Sequence, residues 1–226
     1  MFTRYAIYYT PEPGTPLAEF GAHWLGWDSA AGAARGHPQV EGLDIAQITA
    51  TPRKYGFHGT IKPPFRLAEG MTAQGLADAV TALCADAAPV TLEGLELARL
   101  GRFLALVPAG DASALGTLAA RAVQELDAFR APPNEAELAK RRAARLSAAQ
   151  EAHLMRWGYP YVLDEFRFHL TLSGPLDADV AERVETALGA PVAALDLTPY
   201  RISGLTLLGE DDTGKFHQIH RYALTG

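Results

Sequence analysis

The sequence predicts an α+β fold in which residues 1–226 form a single domain with two lobes. Three observations support this prediction. A motif around a histidine occurs twice, a helical pattern follows each copy of the motif, and a strand pair with matching landmarks follows each helix. Two copies of a strand, a helix and a hairpin indicate an internal duplication with pseudo-two-fold symmetry.

A strand and a short helix are predicted ahead of the first copy. Residues 4–9, Arg-Tyr-Ala-Ile-Tyr-Tyr, are rich in residue types that favour strands. Residues 11–16 form a turn-rich loop that lacks the lysine and the spacing of a phosphate-binding loop. A helix is predicted to follow over about residues 17–27.

The duplicated motif reads Phe-His-x-Thr, then Ile or Leu, with a proline six residues after the histidine. It occurs in residues 56–65, Gly-Phe-His-Gly-Thr-Ile-Lys-Pro-Pro-Phe, and in residues 167–176, Arg-Phe-His-Leu-Thr-Leu-Ser-Gly-Pro-Leu. The shared flanking residues make this pattern far more specific than two isolated His-x-Thr triplets.

Each motif is followed by a predicted helix and then by a predicted hairpin. Apolar residues recur at helical spacing over about 72–87, where Thr72 is a suitable N-cap, and over about 177–188. The hairpins share Gly-Leu and Gly-(Arg/Lys)-Phe landmarks at similar distances from the two histidines. The repeat units are therefore predicted at about residues 55–110 and 166–224.

A helical insertion of about residues 127–160 separates the two units. Asn134 and Glu137 form a capping signal for a helix after the prolines. The cations of this insertion could contact RNA, although a solvated helix face is favoured because glutamates lie nearby. These cations are Lys140, Arg141, Arg142 and Arg145.

The two motif strands predict a catalytic site. Strand residues two apart point to the same side, so His58, Thr60 and Lys62 should share one face of the first strand. His169, Thr171 and Ser173 should share one face of the second. A pseudo-two-fold axis between the strands would place both imidazoles across a common cleft.

Paired imidazoles suit chemistry at a phosphodiester. One removes a proton from the attacking oxygen while the other protonates the leaving oxygen, and both protonation states are accessible near neutral pH. Threonine hydroxyls can bind the nonbridging phosphate oxygens, and Lys62 can offset their charge. The scheme requires no metal and no other cofactor. His217 and His220 are poorly placed to share a metal on a strand.

Further candidates for binding substrate are less specific. Ser173 shares the motif face, and Arg102 and Lys215 occupy matching hairpin positions, where a phosphate contact and a solvated turn are equally supported. Tyr5 and Tyr55 could stack on a base or a sugar, although packed aromatic side chains are more common. Trp157, Tyr159 and Tyr161 form a further aromatic group with the same two interpretations.

The motifs resemble the hallmark of the 2H phosphoesterase superfamily, which is two His-hydrophobic-Thr/Ser-hydrophobic segments. The matching residues are His58-Gly59-Thr60-Ile61 and His169-Leu170-Thr171-Leu172, and Gly59 stands where a larger apolar residue is usual. Residues 4–9, 55–62 and 166–172 also resemble the branch associated with carbon–phosphorus lyase genes and phosphonate metabolism. This similarity spans essentially the whole chain. It implies a bilobal, LigT-like fold of two antiparallel-rich sheets with flanking helices, and a cleft that carries both motifs.

The resemblance also implies a hydrolase, namely a metal-independent cyclic phosphodiesterase. By analogy, its substrate would be a small ribose cyclic phosphate such as 5-phosphoribosyl 1,2-cyclic phosphate. Two alternatives stay open at this point. One is a 2′,3′-cyclic phosphodiesterase or ligase that acts on RNA ends, and the other is a non-catalytic module that binds nucleotides or RNA.

Composition limits the partners that we expect. The net charge of −6 disfavours binding to long nucleic acid, which needs a broad basic surface. The apolar runs are too short to span a bilayer, and the N-terminal residues do not resemble an export signal. The single cysteine, Cys84, is predicted to be buried and fits a cytoplasmic location. We expect a small phosphorylated substrate as the partner, and the number of subunits is left open.

Overall fold

The computed structural model describes residues 2–226 as an α+β fold. Within these residues the strands are β1 (Arg4–Tyr9), β2 (Trp27–Asp28), β3 (Ala33–Ala34), β4 (Gly59–Phe65), β5 (Val90–Leu92), β6 (Gly94–Leu100), β7 (Phe103–Ala109), β8 (Leu170–Thr171), β9 (Tyr200–Ile202), β10 (Gly204–Glu210) and β11 (Phe216–Ala223). The α-helices are α1 (Pro16–Leu25), α2 (Ile45–Ile48), α3 (Ala73–Ala85), α4 (Ser113–Glu125), α5 (Glu135–Arg142), α6 (Ala148–Trp157) and α7 (Ala178–Ala193). Short 3-10 helices occur at Pro52–Tyr55, Asp127–Phe129 and Leu163–Glu165.

Seven of the described strands form one antiparallel sheet in the order β11-β10-β1-β4-β8-β7-β6. The predicted α+β class is confirmed. The two antiparallel-rich sheets that the resemblance implied are present as the two halves of this single sheet. They are joined edge to edge where Gly59 of β4 lies opposite Leu170 of β8. The two halves are therefore continuous through a very short pairing.

The two copies of the repeated unit exchange their hairpins. The first motif strand, β4, lies in the half that contains the second hairpin, β10 and β11, while β8 pairs with β7 of the first hairpin. The helices are exchanged in the same way: α3 of the first copy packs on β10 and β11, whereas α7 of the second copy packs on β6 and β7. Strands β5 and β9, which lead into the hairpins, pair with each other. The copies are thus interlocked.

Local capping explains most of the helix positions. Thr72 accepts a hydrogen bond from the Gly75 amide at the start of α3, as predicted. The predicted capping box of Asn134 and Glu137 starts α5. Helix α4 was not predicted, and its N-cap residue Ala112 has no side chain that could cap it. Capping side chains are a main signal for the start of a helix, so α4 lacked that signal.

The main hydrophobic core covers one face of the sheet, and a smaller cluster covers part of the other. In β1, Tyr5, Ile7 and Tyr9 belong to this core. The alternate residues, Ala6 and Tyr8, form a small second cluster on the other face. Cys84 is buried in the main core, and burial raises its pKa to about 11. None of the helices described within residues 2–226 is long and apolar enough to cross a membrane.

The contact between Gly59 and Phe168 sets the approach of the two halves, and it can be tested. A methyl group at Gly59 would overlap the buried Phe168 ring. We expect Gly59→Ala to lower the free energy of unfolding by about 1–3 kcal/mol, because overpacking forces side chains or strands to move. Urea denaturation measures this change.

Gly116→Ala is the matched control for this substitution. Gly116 lies inside α4, where a methyl group would meet no described atom within 4 Å. Replacing glycine by alanine in a helix should stabilise the protein by up to about 1 kcal/mol. A Gly59→Ala protein as stable as the wild type would show that the Phe168 ring does not limit the approach of β8.

Candidate active site

The pairing of β4 with β8 brings the two motifs together in a crossed arrangement. Gly59 lies opposite Leu170, so the same antiparallel register, continued by one residue, sets His58 opposite Thr171 and Thr60 opposite His169. Residues directly opposite each other share a face, with Cβ atoms about 4.5–5.5 Å apart. Leu170 belongs to the main core. Both histidines and both threonines therefore lie on the other face, away from the core.

A cavity of about 430 Å³ opens on this face. His58, Thr60, Thr171, Tyr55 and Ser173 are among its lining residues. The ring of His169 lies 5.6 Å from that of Phe103, which also lines the cavity. Ser173 is already committed to the backbone, because its hydroxyl donates to the Gly174 carbonyl at 2.9 Å and accepts from the Leu104 amide at 3.0 Å.

Both imidazoles are oriented in the same way. Nδ1 of His58 lies 2.9 Å from the Gly56 carbonyl oxygen, and Nδ1 of His169 lies 2.8 Å from that of Arg167. A carbonyl can only accept a hydrogen bond, so Nδ1 carries the proton in each ring. Each Nε2 is then the atom left to exchange protons with a ligand. Thr60 can donate to Nε2 of His58 at 3.2 Å.

Tyr8, which the sequence analysis did not select, supports His58. Its ring stacks on the imidazole with the two ring centres 3.8 Å apart and the planes inclined by 22°. Tyr8 lies opposite Thr60 across β1 and β4 and is fully buried. Burial raises the pKa of Tyr8 well above its usual range, so its hydroxyl stays neutral. The stack restricts rotation of the His58 ring and excludes water from one of its faces.

The same enclosure determines the protonation state of His58. Burial lowers the pKa of His58 to about 4, the Gly56 carbonyl opposes this shift, and the positive charge of His169 adds to it. Near neutral pH the His58 ring is therefore neutral, with the lone pair of Nε2 available to accept a proton.

The structure corrects the prediction that Lys62 binds phosphate. Tyr8 lies opposite Thr60, but Ile7, the residue before Tyr8, lies opposite Lys62. This register shift adds one residue to β4 and turns Lys62 to the core face, a typical effect of a β-bulge. There the side chain is only 2% exposed.

Lys62 anchors the end of α4 to the sheet. Its Nζ donates to the Val123 carbonyl at 2.9 Å and lies 3.9 Å from Oδ1 of Asp127. Burial lowers the pKa of Lys62 to about 8, Asp127 opposes this shift, and Arg130 adds to it. Lys62 therefore stabilises the packing of α4 on the core face of the sheet, on the side opposite His58.

Three other candidates also lie away from the cavity, which corrects their predicted roles in binding substrate. Tyr5 is in the main core on the opposite face from His58. Arg102 pairs with Asp177 at 2.9 Å, at the start of α7. Nζ of Lys215 lies 4.3 Å from the centre of the Trp27 ring. Neither hairpin cation lines the cavity that contains His58.

The cations of the cavity come from residues that the sequence analysis assigned elsewhere or did not select. Arg4 lines the wall from β1, and Lys140 and Arg141 line it from α5. Arg141 lies over the Tyr159 ring at 4.6 Å. None of the described residues that line this cavity is Asp or Glu, although the protein carries a net charge of −6. The capping box predicted α5, but no local signal shows where α5 docks.

The remaining histidines do not form a second centre. His217 contacts Asp211 at 2.7 Å and His153 contacts Asp164 at 2.6 Å. Across residues 2–226, no group of three His, Cys, Asp or Glu side chains is arranged to hold a metal ion.

By sequence, this chain matches one protein family and two longer proteins. Residues 60–217 match the family described as "Protein of unknown function (DUF1045)". The chain is 40% identical over 219 residues to a Janthinobacterium sp. (strain Marseille) protein named ribose 1,5-bisphosphate phosphokinase PhnN, covering 94% of this chain and 48% of that protein. A protein of the same name from Laribacter hongkongensis (strain HLHK9) is 32% identical over 226 residues, covering 96% of this chain and 51% of its own length. The chain thus spans about half the length of these relatives.

The solved structures to which this chain is similar share little sequence with it. Escherichia coli LigT complexed with 3′-AMP is 14% identical, with a TM-score of 0.46 and full coverage of both chains. A structure described as a phosphoesterase has the same identity, TM-score and coverage. Functional conclusions therefore depend on the geometry of the cavity itself.

The structural role of Lys62 leads to a test by substitution. Lys62→Met keeps the length of the side chain but leaves the Val123 carbonyl without its donor. We expect a loss of about 1–3 kcal/mol in the free energy of unfolding, measured by urea denaturation. The substrate KM should stay within about twofold of wild type, since the ammonium group faces the core. A large rise in KM in a protein of unchanged stability would contradict this structural role and show that Lys62 binds the substrate.

The lowered pKa of His58 predicts a pH dependence of stability. Between pH 6.5 and about 4 the unfolded chain binds a proton at His58 that the folded chain excludes. This contribution is therefore present above pH 6.5 and is lost as the pH falls towards 4. Urea midpoints of wild type and His58→Asn should diverge over that interval, whereas His220→Asn, at an exposed position of β11, should follow the wild type. Parallel curves for all three proteins would contradict the assignment.

Proposed function

This chain belongs to the DUF1045 family, and we propose that it is a phosphodiesterase that opens a small cyclic phosphate by acid–base catalysis between two histidines. The observation that carries the proposal is the crossed arrangement of His58, Thr171, Thr60 and His169 on one face of the sheet. Each imidazole is held through Nδ1, so each presents Nε2 for proton transfer. Paired imidazoles of this kind can serve one reaction as base and acid.

His58 is the proposed general base, because its ring is neutral near neutral pH. Its Nε2 takes a proton from a water molecule as the water oxygen bonds to phosphorus. The bond between phosphorus and one ring oxygen breaks, and Nε2 of protonated His169 gives its proton to that oxygen. The products are a phosphate monoester and a free hydroxyl on the same molecule. One proton is taken up and one is released, and no step uses a metal ion.

The threonines bind the phosphate in this scheme. Each threonine lies opposite the histidine of the other motif in the strand register, and its hydroxyl can donate to a nonbridging oxygen, where negative charge increases in the transition state. Thr60 now contacts Nε2 of His58 at 3.2 Å, so a bound substrate would replace that contact.

Size and charge favour a small substrate. A volume of about 430 Å³ lies in the range of small-molecule sites, which is roughly 300–1,000 Å³. The overall net charge of −6 opposes binding of a long polyanion, whereas the cations of the cavity attract a compact one. The name of the longer relatives refers to a ribose phosphate. We therefore propose a ribose cyclic phosphate as the substrate, with a role in cytoplasmic phosphonate metabolism.

Replacement of either histidine tests the mechanism. We expect His58→Ala and His169→Ala each to lower kcat by about 10²–10⁴-fold, because each loses a proton-transfer group. The double variant should lose less than the product of the single losses, since both groups act in one transition state. Rates of hydrolysis of ribose 1,2-cyclic phosphates, followed by phosphorus NMR in EDTA, measure these effects.

His220→Ala is the control for this assay, because it removes an imidazole from an exposed position outside the cavity. Its kcat should match the wild type. Two outcomes would reject the mechanism: near wild-type turnover by folded His58→Ala and His169→Ala proteins, or activity that EDTA abolishes and a divalent ion restores.

A further inference from the structure

The cavity has two chemically different ends. One end carries His58, Thr60 and Thr171, and His169 lies beside Phe103, which also lines the cavity. The other carries Lys140 and Arg141 from α5, together with Tyr159 and Arg4. The threonines already provide two donors for a cyclic phosphate, which is a diester with a single negative charge. The cations of the second end are therefore not required by the reacting group.

Lys140 and Arg141 differ from the neighbouring cations because no carboxylate neutralises them. Among residues 2–226, neither has a carboxylate oxygen within 4.0 Å. Arg4 is bound by Glu210, and Arg66 is bound by Glu137 at 3.2 Å. Unpaired cations in a concave surface attract an anion more strongly than paired ones do.

A second cavity of about 270 Å³ adjoins the first at this end. The two cavities share Arg4, Lys140 and Arg141. The one carboxylate that lines the second cavity within the described chain is Glu137, and it is occupied by Arg66 and by the Asn134 amide. The positive region thus extends beyond the space around the histidines.

Arg141 is already oriented for binding. Its guanidinium lies over the Tyr159 ring at 4.6 Å, and Tyr159 in turn packs edge-on against Tyr161 at 5.7 Å. The ring holds the guanidinium from one side, and no described residue forms a hydrogen bond or ion pair with its N–H groups. The N–H edge of a guanidinium matches the geometry of two phosphate oxygens.

We propose that Lys140 and Arg141 form a second anion subsite, which binds a terminal phosphate monoester on the same substrate molecule. The substrate class is then a sugar cyclic phosphate that carries a second, acyclic phosphate. A phosphate monoester has a charge of about −1.5 to −2 near neutral pH, which suits two unpaired cations. The identity of the reacting group rests on the proposed function, whereas the subsite rests on α5 and its cations.

Two substrates that differ in one phosphate test the subsite. The probes are α-D-ribose 1,2-cyclic phosphate and its 5-phosphate. We expect the wild type to have a kcat/KM at least about 100-fold higher for the 5-phosphate, as two charge-assisted contacts would provide. Lys140→Ala and Arg141→Ala should each lower this value by about 10–100-fold. On the probe without the 5-phosphate, both variants should lose at least about fivefold less than they lose on the 5-phosphate, because only the 5-phosphate supplies the anion that the subsite binds.

Arg145→Ala is the matched control, because it removes one positive charge just after α5 from an exposed residue that lines neither cavity. It should leave both kinetic values unchanged. Equal kcat/KM for the two probes in the wild type would overturn the subsite. So would equal losses on both probes in the Lys140 and Arg141 variants, or a preference for an RNA oligonucleotide ending in a 2′,3′-cyclic phosphate.

Calorimetric titration with ribose 5-phosphate separates the subsite from the catalytic proposal. We expect Lys140→Ala and Arg141→Ala to raise its Kd by at least about tenfold, whereas Thr60→Val should leave it unchanged. If neither cyclic phosphate is hydrolysed but this binding pattern is found, the catalytic proposal fails and the subsite stands. Binding that depends on Thr60 and not on α5 would overturn the subsite.

Discussion

The short pairing of β4 with β8 is the constraint on which the site depends. It joins the two halves of the sheet at Gly59 and Leu170, and it is close because Gly59 has no side chain where the Phe168 ring lies. A slip of one residue in this register would turn one motif towards the core, since the side chains of a strand alternate between its faces. The glycine at position 59, where the motif that this segment resembles has a larger apolar residue, thus has a packing reason.

Much of the fold follows from patterns within short segments. The duplicated motif, the alternation along each motif strand and the caps of α3 and α5 are all local, and they predicted both histidines and both threonines on one face. Lys62 could not be predicted in this way. Its side chain is turned by a bulge that exists only in the pairing of β4 with β1, and that partner is about 50 residues away in the chain.

The same limit explains the aromatic and cationic residues of the cavity. Tyr5 and Tyr8 are both tyrosines of one strand, and only the register with β4 decides which of them stacks on His58. Lys140 and Arg141 are on an ordinary charged helix by sequence. Their importance comes from the position of α5, which places them in the wall of the cavity. Although the protein is acidic overall, this wall contains cations and no carboxylates among the described residues. Placement of charge, more than its total, sets the chemistry of the pocket.

The exchange of hairpins between the two copies has a consequence for synthesis on the ribosome. Strand β1 pairs with β10, and Arg4 lies opposite Glu210. This edge of β1 therefore stays unpaired until the ribosome has synthesised β10. Strand β4 likewise lies in the half that contains β10 and β11. The nascent chain must therefore carry unpaired strand edges and apolar helix faces through most of translation, which is the state in which proteins aggregate or engage chaperones. Neither copy contains all the strands of its own half of the sheet, so each half is completed only when both copies have been synthesised.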